Sequence, residues 1–151
     1  MRSTIPKNNL ICAIELKSQI GSYVNNFNNR TEEAIGSAED FWTAFREKFF
    51  KSKQSPWLGY LMLVGNDDES NHIIKINEPY YKVDKVFKDS TYIDRYNILC
   101  QRLLLEHKYN SVALIATSDK NNYIDIEDNI SIESFIDSFK GHLLGLKNEF
   151  K

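Results

Sequence analysis

Residues 57–65 read WLGYLMLVG, a run that is almost entirely apolar. Such a run is typical of a strand that is covered on both faces, as in parallel sheets. Two further apolar runs, residues 10–17 (LICAIELK) and 112–116 (VALIA), also predict strands. The chain therefore has three predicted core strands, separated by long intervening segments.

Those segments have the periodicity of helices. Apolar side chains recur at three- and four-residue steps over residues 31–50, 91–109 and 131–147, which predicts three amphipathic helices. The second opens with a capping pattern from Thr91 to Asp94, and its apolar face includes His107. Buried strands alternating with amphipathic helices predict an α/β fold with a central mixed sheet flanked by helices.

Composition limits the class of protein. The chain has 151 residues, 42% of them hydrophobic, which predicts a single domain over residues 1–151. No apolar run approaches the roughly 20 residues that cross a bilayer, so we expect no membrane association. Cys12 and Cys100 each lie in an apolar stretch and do not suggest a disulfide framework, so we expect a cytoplasmic chain. The net charge of −2 argues against binding nucleic acid through bulk charge, but it leaves a local basic cleft open.

Glu15 and Lys17 are the first candidates for chemistry. Side chains alternate along a strand, so these two share a face, while Cys12, Ile14 and Leu16 take the other face and are expected in the core. A carboxylate and an ammonium about 7 Å apart along a strand form the centre of magnesium-dependent phosphodiesterase sites. The alternative is an edge-strand ion pair worth under about 1 kcal/mol.

Residues 21–30 are rich in asparagine, which favours turns and caps, so a loop is predicted here. Amide and guanidinium groups can read adenine and guanine in the major groove, which makes five residues candidates for DNA binding: Asn25, Asn26, Asn28, Asn29 and Arg30. The alternative is a capping role, with Asn29 or Thr31 as the N-cap and Glu32 and Glu33 near the positive end of the helix dipole.

Other polar residues carry weaker signals. Lys82, Lys85 and Lys88 lie close together and can meet phosphates, although a solvated loop explains them as well. The histidines and cysteines lack the spacing of a zinc site.

Four stretches of the sequence carry a distinctive pattern: residues 13–19 (AIELKSQ), 25–36 (NNFNNRTEEAIG), 41–47 (FWTAFRE) and 56–61 (PWLGYL). Together they resemble the XhoI family of type II restriction endonucleases. Positions in the second helix fit the same pattern, including Tyr92, Arg95, Arg102 and Tyr109. The resemblance covers most of the chain and is looser after about Tyr123.

The resemblance implies a nuclease with the PD-(D/E)XK core. Such an enzyme would cut both strands of duplex DNA at the palindrome CTCGAG with Mg²⁺, as a homodimer, while a cognate methyltransferase acts on the same site. By this resemblance Glu15 would be the metal-binding carboxylate, Lys17 the catalytic lysine, and the backbone carbonyl of Leu16 a further metal ligand. Gln19, Glu32 and Glu33 are candidates for supporting positions near the metal.

One part of the family pattern is missing. The motif needs an aspartate upstream of the Glu-x-Lys strand, and residues 1–14 contain no acidic side chain. The resemblance therefore implies an N-terminally truncated core that corresponds to the C-terminal part of an XhoI-like enzyme. Lost neighbouring strands would leave an exposed apolar patch beside Leu10 to Leu16 and favour self-association.

Three functions follow as hypotheses. The first is the endonuclease itself, and the second is a catalytically inactive remnant that binds DNA weakly at most. The third is a different PD-(D/E)XK nuclease, such as a repair enzyme, which would show the Glu-x-Lys strand without the block at residues 25–36.

Overall fold

A mixed four-stranded sheet forms the centre of the molecule. The computed structural model describes residues 9–50, 54–119 and 121–147. The helices and strands are, in chain order, β1 (Cys12–Gln19), α1 (Tyr23–Arg46), β2 (Trp57–Gly65), α2 (Tyr92–Leu105), β3 (Ser111–Thr117), β4 (Ile124–Asp125) and α3 (Ile132–Lys147). Short 3-10 turns at Lys85–Phe87 and Asp128–Ile130 interrupt the connections before α2 and α3.

The strands lie in the order β1-β2-β3-β4. The first three are parallel, and β4 pairs with β3 in the antiparallel direction, which agrees with the predicted mixed sheet. The register places Glu15 beside Tyr60 and Lys17 beside Met62. Strand β1 therefore lies at one edge of the sheet, with its charged residues next to the central strand β2.

Helices cover both faces of the sheet. Tyr60 and Met62 of β2 are fully buried in the core beneath α1 and α2, while Trp57 packs on the other face against Phe135 of α3. A Cβ at Gly59 would lie 2.6 Å from the Phe135 ring, so this glycine allows α3 to approach the sheet. The result is a three-layer α/β arrangement. Among the described residues, no helix is both long and apolar enough to cross a membrane.

The prediction of a loop at residues 21–30 is wrong, because helix α1 already includes residues 23–30. The helix begins at Tyr23, after Ser22 at a φ of 51°, and not at Asn29 or Thr31. The reason is tertiary packing, because the Tyr23 ring stacks on Tyr92 and the Phe27 ring meets Tyr96 edge-on. Those aromatic contacts override the weak helix propensity of asparagine. Glu32 and Glu33 are consequently mid-helix residues and not partners of the helix N-terminus.

The prediction that Ile14 and Leu16 of β1 enter the core is wrong. The two faces do separate as expected, but Ile14 is 45% exposed and Leu16 is 67% exposed. Helix α1 instead covers the face that carries Glu15 and Lys17, and Ala13 packs there against the main core. Of the predicted core face of β1, Cys12 alone among the described residues packs with the cluster under α3.

Two helix ends also differ from the prediction. Helix α1 ends at Arg46 and not at Phe50, and α2 ends at Leu105, where Tyr109 was predicted. His107 is therefore exposed in a turn, with a φ of 55°, and does not belong to a helix face. The capping box at Thr91 and Asp94 is confirmed, since each side chain bonds the backbone N–H of the other residue.

Candidate active site

The candidate site lies between β1 and the middle of α1. Lys17 Nζ is 3.3 Å from a carboxylate oxygen of Glu15 and 3.1 Å from one of Glu33. Both β1 side chains are partly covered, with 25% of Lys17 and 16% of Glu15 exposed to solvent. The lysine thus lies between two carboxylates beneath a helix. This cluster is larger than the simple Glu15–Lys17 ion pair that the spacing of the two residues predicts.

Helical spacing brings three α1 residues to this point. Arg30, Glu33 and Ser37 lie at three- and four-residue steps, so they share the side of α1 that faces β1. Arg30 Nη1 is 2.7 Å from Glu33 Oε2, and Ser37 Oγ donates to Glu15 Oε1 at 3.3 Å. The sequence predicts Arg30 in a loop and Glu33 at the helix start, with Glu33 also a candidate near the metal. Ser37 is not among the predicted residues, although helical spacing from Glu33 identifies it.

The electrostatics of the site keep its charges in place. The hydrogen bond from Arg30, followed by that from Lys17, holds the pKa of Glu33 below its ordinary value of 4.5. Burial lowers the pKa of Lys17, but the hydrogen bonds and charges of Glu33 and Glu15 outweigh burial. The pKa of Lys17 therefore lies above its ordinary value of 10.5. Lys17 is therefore a cation at neutral pH, and Glu33 an anion.

Tyr109 is a second residue that sequence reasoning did not assign to the site. Its hydroxyl donates to Glu15 Oε2 at 2.6 Å, and it also contacts the Ala34 carbonyl oxygen at 2.8 Å. Tyr109 and Glu15 are 94 positions apart in the sequence. The sequence contains no local signal for such a contact, because it depends on how α2 and β3 pack on the sheet.

The Leu16 carbonyl lies at the outer edge of the sheet. The Ile11 carbonyl accepts from Trp57 N at 2.9 Å, which fixes the carbonyls of odd-numbered β1 residues towards β2. Carbonyls alternate along a strand, so the Leu16 carbonyl points the other way. No strand in the described part of the chain pairs with that edge.

The remaining predicted residues lie near the site but do not join it. Gln19 is on the same face of β1 as Lys17, is 6% exposed, and donates from its side-chain amide to the Gly21 carbonyl at 2.5 Å. Glu32 is exposed, and the ion pairs of the cluster among the described residues do not include it.

The asparagines follow the first turns of α1. Asn26 and Asn29 donate to backbone carbonyls one turn earlier, at 3.0 Å and 3.4 Å. Asn25, Asn28 and Asn29 are exposed and lie at helical steps on one side of α1. The structure thus presents three amides on one solvent-facing helix surface.

The oxygen atoms at the site suit a hard divalent cation. Glu15, Glu33 and the Leu16 carbonyl are the kinds of ligand that Mg²⁺ takes, and Mg²⁺ keeps several of its waters. Within the described residues, no three His, Cys, Asp or Glu side chains form a metal-binding group. Glu15 and the Leu16 carbonyl are therefore the donors that fit Mg²⁺ in chemistry, while Glu33 pairs with Lys17 and Arg30.

Comparison with known proteins identifies a family and several relatives of this chain. The family described as "Restriction endonuclease XhoI" matches residues 3–127. The type II restriction enzyme BstVI of Geobacillus stearothermophilus is 43% identical over 140 residues, which are 89% of this chain and 62% of BstVI. The type II restriction enzyme XhoI of Xanthomonas vasicola is 43% identical over 98 residues, 64% of this chain and 40% of that enzyme.

A third relative is the type II restriction enzyme AbrI of Azospirillum brasilense. It is 49% identical over 77 residues, which cover 50% of this chain and 35% of AbrI. The chain spans about three-fifths of BstVI and less of the other two, and no solved structure matches it. Because the family pattern extends over most of the sequence and includes the β1–α1 site, this chain belongs to the XhoI restriction endonuclease family.

Proposed function

We propose that this chain is a type II site-specific deoxyribonuclease that cuts both strands of duplex DNA at CTCGAG with Mg²⁺. The observation that carries the proposal is Lys17, whose ammonium lies between the carboxylates of Glu15 and Glu33 on a β strand. The relatives' designation as type II restriction enzymes supports the reaction class. We further propose that the β1–α1–β2 unit is a PD-(D/E)XK core.

Each site residue has a role that follows from its position. Glu15 and the Leu16 carbonyl would hold Mg²⁺, which supplies Lewis-acid charge to a phosphate and acidifies a bound water. Lys17 stabilises the charge that develops on the attacked phosphate, because its raised pKa keeps it protonated. Glu33 positions Lys17 and is itself held by Arg30.

The first turns of α1 are the proposed DNA-reading surface. A helix fits the major groove of duplex DNA, and side-chain amides pair bidentately with adenine. Asn25, Asn28 and Asn29 lie on one exposed side, with Asn26 and Arg30 beside them. Arg30 also contacts Glu33, which supports a reading surface next to the proposed catalytic pair.

Recognition of a palindrome and cleavage of both strands favour a two-fold symmetric homodimer with one site per strand. A methyltransferase that modifies the same sequence would protect the host DNA. We propose that both act in the cytoplasm, and the free cysteines Cys12 and Cys100 are consistent with a reducing compartment.

Plasmid cleavage tests the specificity of the proposed enzyme. The full chain is incubated with a supercoiled plasmid that holds one CTCGAG, and with a matched plasmid in which one base pair of that site is changed. We expect a single linear product from the first plasmid in Mg²⁺ and none from the second, or from either in EDTA. Equal cutting of both plasmids would contradict the specificity, and no cutting by folded protein would contradict the activity.

A catalytically inactive DNA-binding remnant is the second candidate function. It is favoured by the donor set, in which Glu15 is the one carboxylate on β1 and Glu33 is already paired with Arg30. Fluorescence anisotropy of a labelled CTCGAG duplex, in Ca²⁺ to block cleavage, distinguishes the two. Weak binding without cleavage in Mg²⁺ supports the remnant, and tight binding with cleavage excludes it.

A further inference from the structure

Tyr109 makes a buried contact with one oxygen of the Glu15 carboxylate. Its side chain is 1% exposed, and its hydroxyl is 2.6 Å from Glu15 Oε2. The same hydroxyl lies 2.8 Å from the Ala34 carbonyl oxygen of α1, so one proton is shared between two acceptors. A tyrosine hydroxyl has one proton to donate, and both of its partners here are oxygen acceptors, so Tyr109 is the donor in this contact.

The turn that carries Tyr109 is attached on both sides. Trp42 Nε1 of α1 donates to the Lys108 carbonyl at 2.7 Å. Asn110 N donates to the Leu58 carbonyl at 2.8 Å, and Leu58 N donates to Asn110 Oδ1 at 2.7 Å. Three hydrogen bonds to α1 and β2 thus fix the backbone on either side of the tyrosine, and its ring packs on Tyr60 with centroids 5.1 Å apart.

The two oxygens of Glu15 consequently have different surroundings. Oε2 points inward to the tyrosine, while Oε1 is 3.3 Å from Ser37 Oγ and 3.3 Å from Lys17 Nζ. Because Oε2 is held by a buried donor, Oε1, which faces Ser37 and Lys17, is the oxygen that a cation near Lys17 would meet. Hydrogen-bond partners of this kind orient metal ligands and set their basicity.

We propose that Tyr109 is a positioning residue that makes Glu15 a one-oxygen ligand for a divalent cation at the site. This inference rests on the proposed function, because it assumes that a cation binds at Glu15. Tyr109 acts through Glu15 and does not itself touch DNA or the cation.

The test compares Tyr109→Phe with Tyr96→Phe in the full chain. Tyr96 is also fully buried, but its hydroxyl has no hydrogen-bond partner among the described residues. The main readout is the affinity for Mn²⁺, measured directly by calorimetry. Losing a partner of a metal ligand typically weakens metal affinity about 10- to 100-fold, so we expect that loss in Tyr109→Phe and wild-type affinity in Tyr96→Phe.

A double mutant separates positioning from a general structural role. In a Glu15→Gln background, adding Tyr109→Phe should weaken Mn²⁺ binding no further, because Tyr109 acts through the carboxylate that is already gone. An equal, additive loss in that background would overturn the proposal. So would wild-type Mn²⁺ affinity in Tyr109→Phe.

Cleavage assays on the same proteins separate this inference from the proposed function. A wild-type chain that binds Mn²⁺ through Tyr109 but does not cut DNA contradicts the function alone. A wild-type chain that cuts DNA, and whose Mn²⁺ affinity Tyr109→Phe leaves unchanged, contradicts the inference alone. A wild-type chain that binds no Mn²⁺ also overturns the inference. If Tyr109→Phe does not fold, carbon NMR of tyrosine-labelled chain replaces it: Glu15→Gln should move the Tyr109 ring signal and leave that of Tyr96 in place.

Discussion

At the scale of single residues, the site depends on which of two adjacent glutamates faces β1. Glu33 contacts both Lys17 and Arg30, while Glu32 lies one position earlier and outside the cluster. Neighbouring helix positions point about 100° apart, so helix geometry alone separates them. The pair therefore provides a variant and a matched control that differ only in direction.

The pH dependence of stability should differ between the two glutamate variants. Because the folded pKa of Glu33 lies below 4.5, its contribution to stability is present above that value and is lost as the pH falls through the folded pKa. We expect Glu33→Gln to lower the free energy of unfolding at neutral pH and to reduce the further loss on acidification. Urea denaturation at neutral pH and at about pH 3 measures both.

Glu32→Gln is the control for this measurement and should keep the wild-type profile. Identical acid profiles for Glu33→Gln and the wild-type chain would contradict the ion-pair cluster. A matching profile for both glutamate variants, each different from wild type, would show that the effect belongs to helix charge and not to Lys17.

At the scale of elements, the alternation of strands and helices could be predicted, but the start of α1 could not. Strand β2 is almost entirely apolar, β3 is apolar between its terminal Ser111 and Thr117, and α2 has a capping box, so local sequence defines them. The asparagine-rich residues of α1 are weak helix formers, and the contacts that hold them helical come from Tyr92 and Tyr96, far along the chain. The wrong prediction of a loop at residues 21–30 and the missed role of Tyr109 have the same cause, which is a contact between distant residues.

Two substitutions at Asn28 test whether residues 23–30 are helical. Asn28 is exposed within α1, so its side chain has little packing to lose. Proline in a helix interior costs about 3 kcal/mol or more, whereas alanine has a higher helix propensity than asparagine by roughly 0.5 kcal/mol. Chemical denaturation should show Asn28→Pro strongly destabilised and Asn28→Ala unchanged or slightly more stable. Near-neutral effects of both would indicate a loop.

At the scale of the whole molecule, the two faces of the sheet are covered unequally. Helices α1 and α2 bury one face, while α3 packs around Trp57 and Ala113 and leaves Ile14 and Leu16 exposed. The exposed apolar side chains expected beside β1 are therefore present. Because β1 is also the sheet edge, this region combines apolar surface with a strand edge that favours pairing.

We expect the chain to self-associate through this region. Analytical ultracentrifugation of the full chain at micromolar concentration should give an average mass above the 17.6 kDa of one copy. Leu16→Gln should shift the equilibrium towards one copy, because the Leu16 side chain is 67% exposed on that face. Leu105→Gln is the control, since Leu105 is 71% exposed at the end of α2, and it should behave as wild type. A monomer at every concentration would contradict the prediction.

A cleavage rate measured with a matched lysine control tests whether Glu15 and Lys17 are the catalytic pair of a metal-dependent nuclease, as we propose. Wild type, Lys17→Ala and Lys140→Ala are compared on a plasmid with one CTCGAG in Mg²⁺, where Lys140 forms an exposed pair with Asp137 on α3. Removing a group that stabilises transition-state charge costs about 100- to 1000-fold in rate. We expect that loss in Lys17→Ala and full activity in Lys140→Ala. Equal rates in all three proteins would contradict the proposal, as would a folded wild-type chain that leaves the plasmid intact.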